Sequence, residues 1–275
     1  MRTFFKKYFI SLIAVAGCMS CANFNIVDQD LQAILLNSKG KRHVRASLDR
    51  SHIKSLKAPS VKANRKTVKM HVQTEKISTS NLKQTAEVQR YLKLYTGKRR
   101  NDVEIPLVKR AEHLPVISAV LDYYNLPNEL SNLAFVESKF DSSATSPVGA
   151  KGIWQLMKPT AEGLGLNCRF WNDERKDVLR SSIAAARYIK ELKSRFGDWL
   201  LVVAAYNAGP TRVENAQNRS GKKRDFFTLA KKGLLPKETI HHVSKFIALT
   251  IITNQPDLYG FDSLASKVGD LPLVE

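Results

Sequence analysis

Cysteine is scarce here, three residues in 275, and that number excludes a small fold stapled by disulfides. Long hydrophobic runs are scarcer still: the only candidate, Tyr8 to Ala16, is too short to span a bilayer comfortably. Aromatic residues make up 8% and no segment alternates apolar and polar residues convincingly, so a β-rich architecture has no support. Hydrophobic residues at 43% and charged residues at 25% are close to ordinary soluble domains, which leaves a chain able to bury a core.

What is abundant is positive charge, 44 basic against 25 acidic side chains, a net of +19. Its placement is uneven. Residues 1–17 carry three basic and no acidic side chains, and residues 18–100 carry 18 and 5. Residues 101–275, with 23 and 20, are nearly balanced. The basic character therefore belongs to the N-terminal third. From Lys39 to Thr85 the composition is Lys, Arg, Ser, Thr, Asn and Gln with almost no aromatics and no sustained period, which reads as a disordered linker over residues 18–85. Such a tether has a mean end-to-end distance of about 45 Å and an extended reach of about 220 Å. Clustered basic residues also mark nucleic-acid binders, but no aromatics are interleaved to stack bases, so nucleic acid is not expected as a partner. Anionic lipid or an acidic cell wall suits the same charge.

The first residues explain where the chain goes. Arg2, Lys6 and Lys7 precede the apolar stretch, and Val15-Ala16-Gly17-Cys18 follows it, small residues running straight into a cysteine. This resembles a bacterial lipobox, which implies a signal peptide over residues 1–17, lipidation of Cys18 and a membrane anchor. A plain signal peptide cleaved nearby is the alternative. Met19 rather than Asp after the cysteine favours, by resemblance to enterobacterial lipoproteins, the periplasmic face of the outer membrane.

From Ala86 the period becomes helical. Val88, Tyr91, Leu92 and Tyr95 share one face before Gly97, Pro115 is expected to open a helix through Tyr124, and Pro127 to open another. Leu179, Ile183, Ala186, Ile189, Leu192 and Phe196 recur every three or four residues up to Gly197. Asp198 can cap a helix from Trp199 to Ala208, and a last helix runs from Pro236 to Thr253. The expected fold is mainly α, and Cys168 is expected as a buried thiol.

In the helix after Pro127, Glu137 lies four residues past Leu133 and seven past Leu130, on the apolar stripe. A carboxylate there is either paired, for instance with Lys139, or desolvated so that it holds its proton, the state a general acid requires. The loop Ser142 to Gly152 and the run Ile153-Trp154-Gln155-Leu156-Met157 follow. They bring backbone amides, an amide side chain and apolar groups close to the carboxylate, a mixture suited to a sugar. Periodicity alone also allows Trp154 and Met157 as core and Gln155 as surface.

The run ESKFDSSATSPVGAKGIWQLMKPTAEGLGL, with AAYNAGPTRV from Ala204, resembles the catalytic domain of the soluble lytic transglycosylase family, which shares the goose-type lysozyme fold. VQRYLKLYTG, LPNELSNLAFVES, WNDERKDVLRSSIAAARYI and LPKETIHHVSKFIAL are similar to its membrane-bound branch, so the resemblance covers residues 86–262. It implies a lysozyme-like catalytic domain over residues 86–265, with a tail at 266–275 and no cofactor. It implies Glu137 as sole acid and base in cutting the bond between N-acetylmuramic acid and N-acetylglucosamine of peptidoglycan, leaving a 1,6-anhydromuramoyl end. It implies that Ser146, Gln155, Met157, Tyr206 and Asn207 line the saccharide groove and that Ser138 supports Glu137.

Other readings stay open: a hydrolase, for which Asp141 is the candidate second carboxylate if the helix continues, and a peptidoglycan-binding or scaffolding protein with weakened catalysis. Two departures bear on them. After Thr239 the family usually has arginine, a variable residue and tyrosine, where this chain has Ile240, His241 and His242. A charged imidazole at His242 beside Glu137 weakens the acid, so activity is expected to fall as His242 protonates. The adjacent histidines are not expected to bind metal, because neighbouring side chains on a helix diverge. Members of the membrane-bound branch also commonly carry LysM wall-binding repeats after the catalytic domain. None is present before Glu275, so retention at the wall is expected to rest on the lipid anchor and the basic linker.

Overall fold

A computed structural model describes Val27, residues 29–31, Ala33, Ile34, Ile77 and residues 85–261. The signal sequence, Cys18, the C-terminal tail and most of the expected linker lie outside the described residues. The architecture is helical. Helix α1 (Ala86–Thr96) begins where the Thr85 side chain accepts from the Val88 amide at 3.3 Å and ends at Gly97, with Val88, Tyr91, Leu92 and Tyr95 buried as their spacing predicts.

Helix α2 (Asn101–Tyr123) departs from the sequence expectation, because Pro106 and Pro115 both lie inside it. A proline removes one amide donor from a helix, but burial of Val103, Leu107, Val116, Ile117, Val120 and Leu121 along a single axis holds the turns on either side in line. Pro127, by contrast, does open a helix, a 3-10 turn at Asn128–Leu130 that passes into α3 (Ser131–Ser138). Helix α4 (Lys158–Gly163) is short, and α5 (Val178–Phe196) carries the predicted apolar stripe between a cap at Asp177, which accepts from the Arg180 amide at 2.8 Å, and Gly197 at φ 69°.

Helix α6 (Trp199–Ala208), capped by Asp198 as expected, is buried on every side from Trp199 to Ala205 and forms the centre of the core. A helix apolar all round has no solvent face and must be enclosed. It packs on α5, on α7 (Pro210–Ser220), on α8 (Phe226–Lys231) and on α9 (Lys237–Asn254), while α9 also covers α1 and α3. Among the described residues, no helix is long and apolar enough to cross a membrane.

Sequence periodicity did not anticipate the short helices α4, α7 and α8, nor a small antiparallel hairpin. Strands β1 (Cys168–Arg169) and β2 (Asn172–Asp173) pair Cys168 with Asp173 and Arg169 with Asn172. Cys168 is a free thiol, as expected, and burial pushes it up to about 11.

Below the hairpin sits a buried ion pair. The Arg175 guanidinium donates from Nε and Nη2 to the two oxygens of Asp173, at 2.9 and 2.8 Å, and from Nη1 to the carbonyls of Gly149 and Leu156, at 2.9 and 3.1 Å. Lys151 Nζ reaches the same carboxylate at 3.1 Å. The loop from Ala144 to Met157 is thereby tied to the hairpin at three points. Its backbone crosses Arg175 so closely that a Cβ on Gly152, at φ 77°, would stand 1.7 Å from the Arg175 carbonyl oxygen, so only glycine fits.

A second tie comes from the chain before residue 86. Val27, Gln29, Asp30, Leu31, Ala33 and Ile34 are helical, and Val27, Leu31 and Ile34, spaced by four and three, are buried in the common core together with Ile77. Asp30 accepts hydrogen bonds from the hydroxyls of Tyr123, at 3.2 Å, and Tyr124. These residues, inside the span expected as linker, belong to the packed domain. Their stripe is short and stands beside a long basic polar stretch, so composition averaged over 18–85 conceals it.

Two outcomes follow. Asp30→Ala leaves two half-buried tyrosine hydroxyls without their acceptor and is expected to cost about 1–3 kcal/mol, a drop of several degrees in melting temperature. Thermal unfolding followed by circular dichroism checks it; an unchanged midpoint makes the contact incidental. The Arg175 hydrogen bonds and Lys151 hold Asp173 down at about 2, below its ordinary 3.8. A depressed carboxylate stabilises the fold above the unfolded value, and that contribution, about 2 kcal/mol, disappears as pH falls from about 5 to about 2. The melting temperature is expected to fall across that window, and Asp173→Asn to be less stable at pH 7 yet less sensitive to acid.

Candidate functional site

Helix α3 ends abruptly after Glu137. Lys139 and Phe140 both take positive φ, 56° and 60°, so the chain turns away and Glu137 is left one residue from the helix terminus. Phe140 is buried and stacks edge-on against Phe135, which supplies the packing that fixes this conformation. Asn132 ties the same helix to α9, donating to Thr253 at 2.9 Å and Thr250 at 3.3 Å.

That docking brings His242 of α9 against Glu137, with Nε2 2.9 Å from Oε1 and side-chain exposures of only 10% and 15%. The Nδ1 of His242 is buried with no hydrogen-bond partner. A proton on Nδ1 would be a buried, unsatisfied donor, so the neutral ring with its proton on Nε2, donated to Glu137, fits the site better than the charged one. His241 faces elsewhere, its Nδ1 2.7 Å from Glu87 of α1 and its ring edge-on to Tyr91. The two histidines thus serve different carboxylates, and no group of three or more His, Cys, Asp or Glu able to hold a metal occurs among the described residues.

The residues after the loop are clamped from three helices. The Ser138 hydroxyl donates to the Ile153 carbonyl at 2.8 Å, the Tyr206 hydroxyl of α6 donates to the Trp154 carbonyl at 2.8 Å, and the Trp154 indole donates to Ser182 of α5 at 2.8 Å. Trp154 is therefore core, whereas Met157, 42% exposed at the start of α4, faces outward. Gln155 sits at φ 47° and donates to the carbonyls of Gly152 and Ala144, at 2.9 and 3.3 Å, so its amide shapes the loop. The Ser146 hydroxyl accepts from the Ala150 amide at 3.0 Å and closes the tip of the same loop.

Tyr206 packs against Tyr188, and burial together with the nearby charge of Glu137 holds its hydroxyl well above the usual phenol range, so it remains a donor. Asn207, next along α6, accepts on Oδ1 from the Thr239 hydroxyl at 2.9 Å. Asp141 is not a partner of Glu137: the helix has already ended, and its carboxylate accepts from the Ser143 amide and hydroxyl at 2.9 and 2.7 Å, which lowers its pKa. Lys139 likewise is committed elsewhere, to Asp102 at 2.9 Å.

Of the positions singled out in the sequence, the structure brings His242 against Glu137 and Tyr206 within reach of its charge, while Ser146 and Gln155 shape the loop between α3 and α4 and Asn207 follows Tyr206 on α6. Sequence reasoning missed Thr239, which orients Asn207, and the trio Lys151, Asp173 and Arg175. Both Asp173 and Arg175 stood within the run WNDERKD, whose spacing of two polar charges inside an otherwise surface-like segment gave no hint that they are buried.

Residues 115–227 match the family model described as the transglycosylase SLT domain. Membrane-bound lytic murein transglycosylase D of Escherichia coli (strain K12) is 43% identical over 140 residues, which are 50% of this chain and 30% of that protein. Peptidoglycan transglycosylase gp16 of Escherichia phage T7 is 35% identical over 106 residues, 38% of this chain and 8% of that one. A solved structure of an inactive mutant of the lytic transglycosylase Slt from Pseudomonas aeruginosa aligns over 68% of this chain and 38% of its own, at 20% identity and a TM-score of 0.43. The chain spans less than a third of the transglycosylase D it matches. Through residues 115–227 the chain is similar to the transglycosylase SLT domain family.

Proposed function

We propose that this protein is a lytic transglycosylase of the bacterial cell envelope, cutting the glycan of peptidoglycan between N-acetylmuramic acid and N-acetylglucosamine without consuming water. The observation that carries the reading is the hydrogen bond from His242 to Glu137 at the blunt end of α3, beside the clamped loop. With Oε1 accepting from the imidazole, Oε2 is left to hold the proton that an acid delivers. Glu137 protonates the glycosidic oxygen as the C1–O bond breaks. The resulting carboxylate then takes the proton of the muramic acid's 6-hydroxyl while that oxygen closes on C1 to form the 1,6-anhydro ring.

One carboxylate suffices for both transfers. The commitment of Asp141 to Ser143 favours this over a hydrolase with two carboxylates flanking the bond. Ser146, Gln155, Met157, Tyr206 and Asn207 line the groove in this reading, and Ser138 and His242 position the loop and the acid. The signal sequence and Cys18 supply a lipid anchor in the outer membrane, and the basic stretch between holds the protein to the wall.

Mass spectrometry of fragments released from purified sacculi by residues 19–275 tests the chemistry. Ends lighter by one water, absent with Glu137→Gln, are the expected result; reducing ends mean a hydrolase, and bound sacculi without release mean a binding protein. For the partner of the acid, His242→Phe removes a hydrogen bond to a carboxyl group and is expected to lower kcat about 10- to 100-fold. His242→Tyr keeps a donor and is expected to retain most of the rate. Equal rates for His242→Phe and the unaltered protein overturn that role.

A further inference from the structure

The most exposed aromatic residues of the described structure are adjacent. Phe170 is 99% and Trp171 81% exposed, whereas Trp154 and Trp199 are both buried. The strand register, Arg169 with Asn172, makes Phe170 and Trp171 the two turn residues of the hairpin. Turns of that length ordinarily carry Gly, Asn or Asp, and two large rings held in water at such a place gain nothing for folding.

The turn is not a loose one. Two residues past Trp171 in the chain lies Asp173, the buried carboxylate gripped by Arg175 and Lys151, so the base of the turn is anchored by that pair. Lys151 is itself bridged to Thr145 and Leu156, and Arg175 holds the carbonyls of Gly149 and Leu156. The hairpin is thus rigidly coupled to the loop that carries Ser146, Gln155 and Met157.

We propose that Phe170 and Trp171 form an aromatic platform that stacks against a sugar ring of the glycan strand beyond the residues being cut, lengthening the groove along the hairpin. The apolar face of a pyranose presents C–H groups to the negative face of an aromatic ring, and a platform fixed by an ion pair costs little conformational entropy on binding. The inference rests on the glycan reading of the site, since the rigid link runs to the loop assigned there. Its position outside the Glu137 cluster means that it supplies affinity for long strands and not chemistry.

The test uses residues 19–275 carrying Glu137→Gln, so that binding is read without turnover. Co-sedimentation with sacculi is expected to weaken about tenfold with Trp171→Ala, and to be largely restored by Trp171→Phe. Because the other two tryptophans are buried, emission accessible to acrylamide comes from Trp171, and soluble glycan strands are expected to shield it. In the active chain Trp171→Ala is expected to raise KM for long strands and leave kcat unchanged.

Unchanged sedimentation and unshielded emission overturn the platform. So does shielding by vesicles of anionic phospholipid but not by glycan, which would make the hairpin a lipid contact. If Trp171→Ala binds normally while the wild-type chain releases anhydromuramoyl fragments, the platform falls and the proposed function stands; if glycan shields Trp171 but no fragments appear, the reverse holds.

Discussion

The arrangement around Glu137 depends on a charge buried under the neighbouring loop. Removing an arginine and an aspartate from water is costly, and the cost is offset only where nearly every donor finds an acceptor. Here Nε and Nη2 bind the Asp173 carboxylate and Nη1 takes two loop carbonyls. The loop packs Ile153, Trp154 and Leu156 into the core at its far end, but from Ala144 to Gly152 it has few apolar side chains with which to pack. Its shape is imposed by that guanidinium from below, by Gln155 bonding within the loop, and by the glycine that lets its backbone cross Arg175.

The acid is placed by a different logic. Glu137 hangs from the last turn of α3, and α3 is fixed to α9 through Asn132 and two threonines, so the carboxyl and His242 keep their distance as parts of one helix pair. The segment Ile153 to Gln155 is then drawn in by hydroxyls from α3 and α6 and by the indole contact with α5. Three helices and a loop converge on one carboxyl, and each is held by polar contacts whose donors or acceptors are themselves mostly buried. Small displacements of the loop relative to the acid are therefore resisted from several directions.

Much of this could be read from the residues. The cap at Asp198, the stop at Gly197, the stripes of α1 and α5 and the stripe position of Glu137 all follow from local rules that burial later reinforced. Pro115 misled because the penalty of a proline is local while the packing of α2 extends well beyond it. Asp173 and Arg175 were opaque because two charged residues in a polar run look solvated until tertiary structure places them under a loop. The residues at 27–34 were hidden by averaging: three apolar side chains at helical spacing are a weak signal, and only the surface offered by Tyr123 and Tyr124 gives them a place. The orientation of His241 and His242 toward different partners needed only helical geometry, whereas the identity of those partners needed the fold.

The docking of Val27, Leu31 and Ile34 changes what kind of connection the basic stretch makes. Both of its ends, and Ile77 within it, are fastened to the same core. It is a closed excursion and not a leash with a free load at one end. Cleavage between residues 35 and 76 would break the covalent chain while the buried contacts of Val27, Leu31 and Ile34 on one side and of the helical domain on the other still join the two pieces.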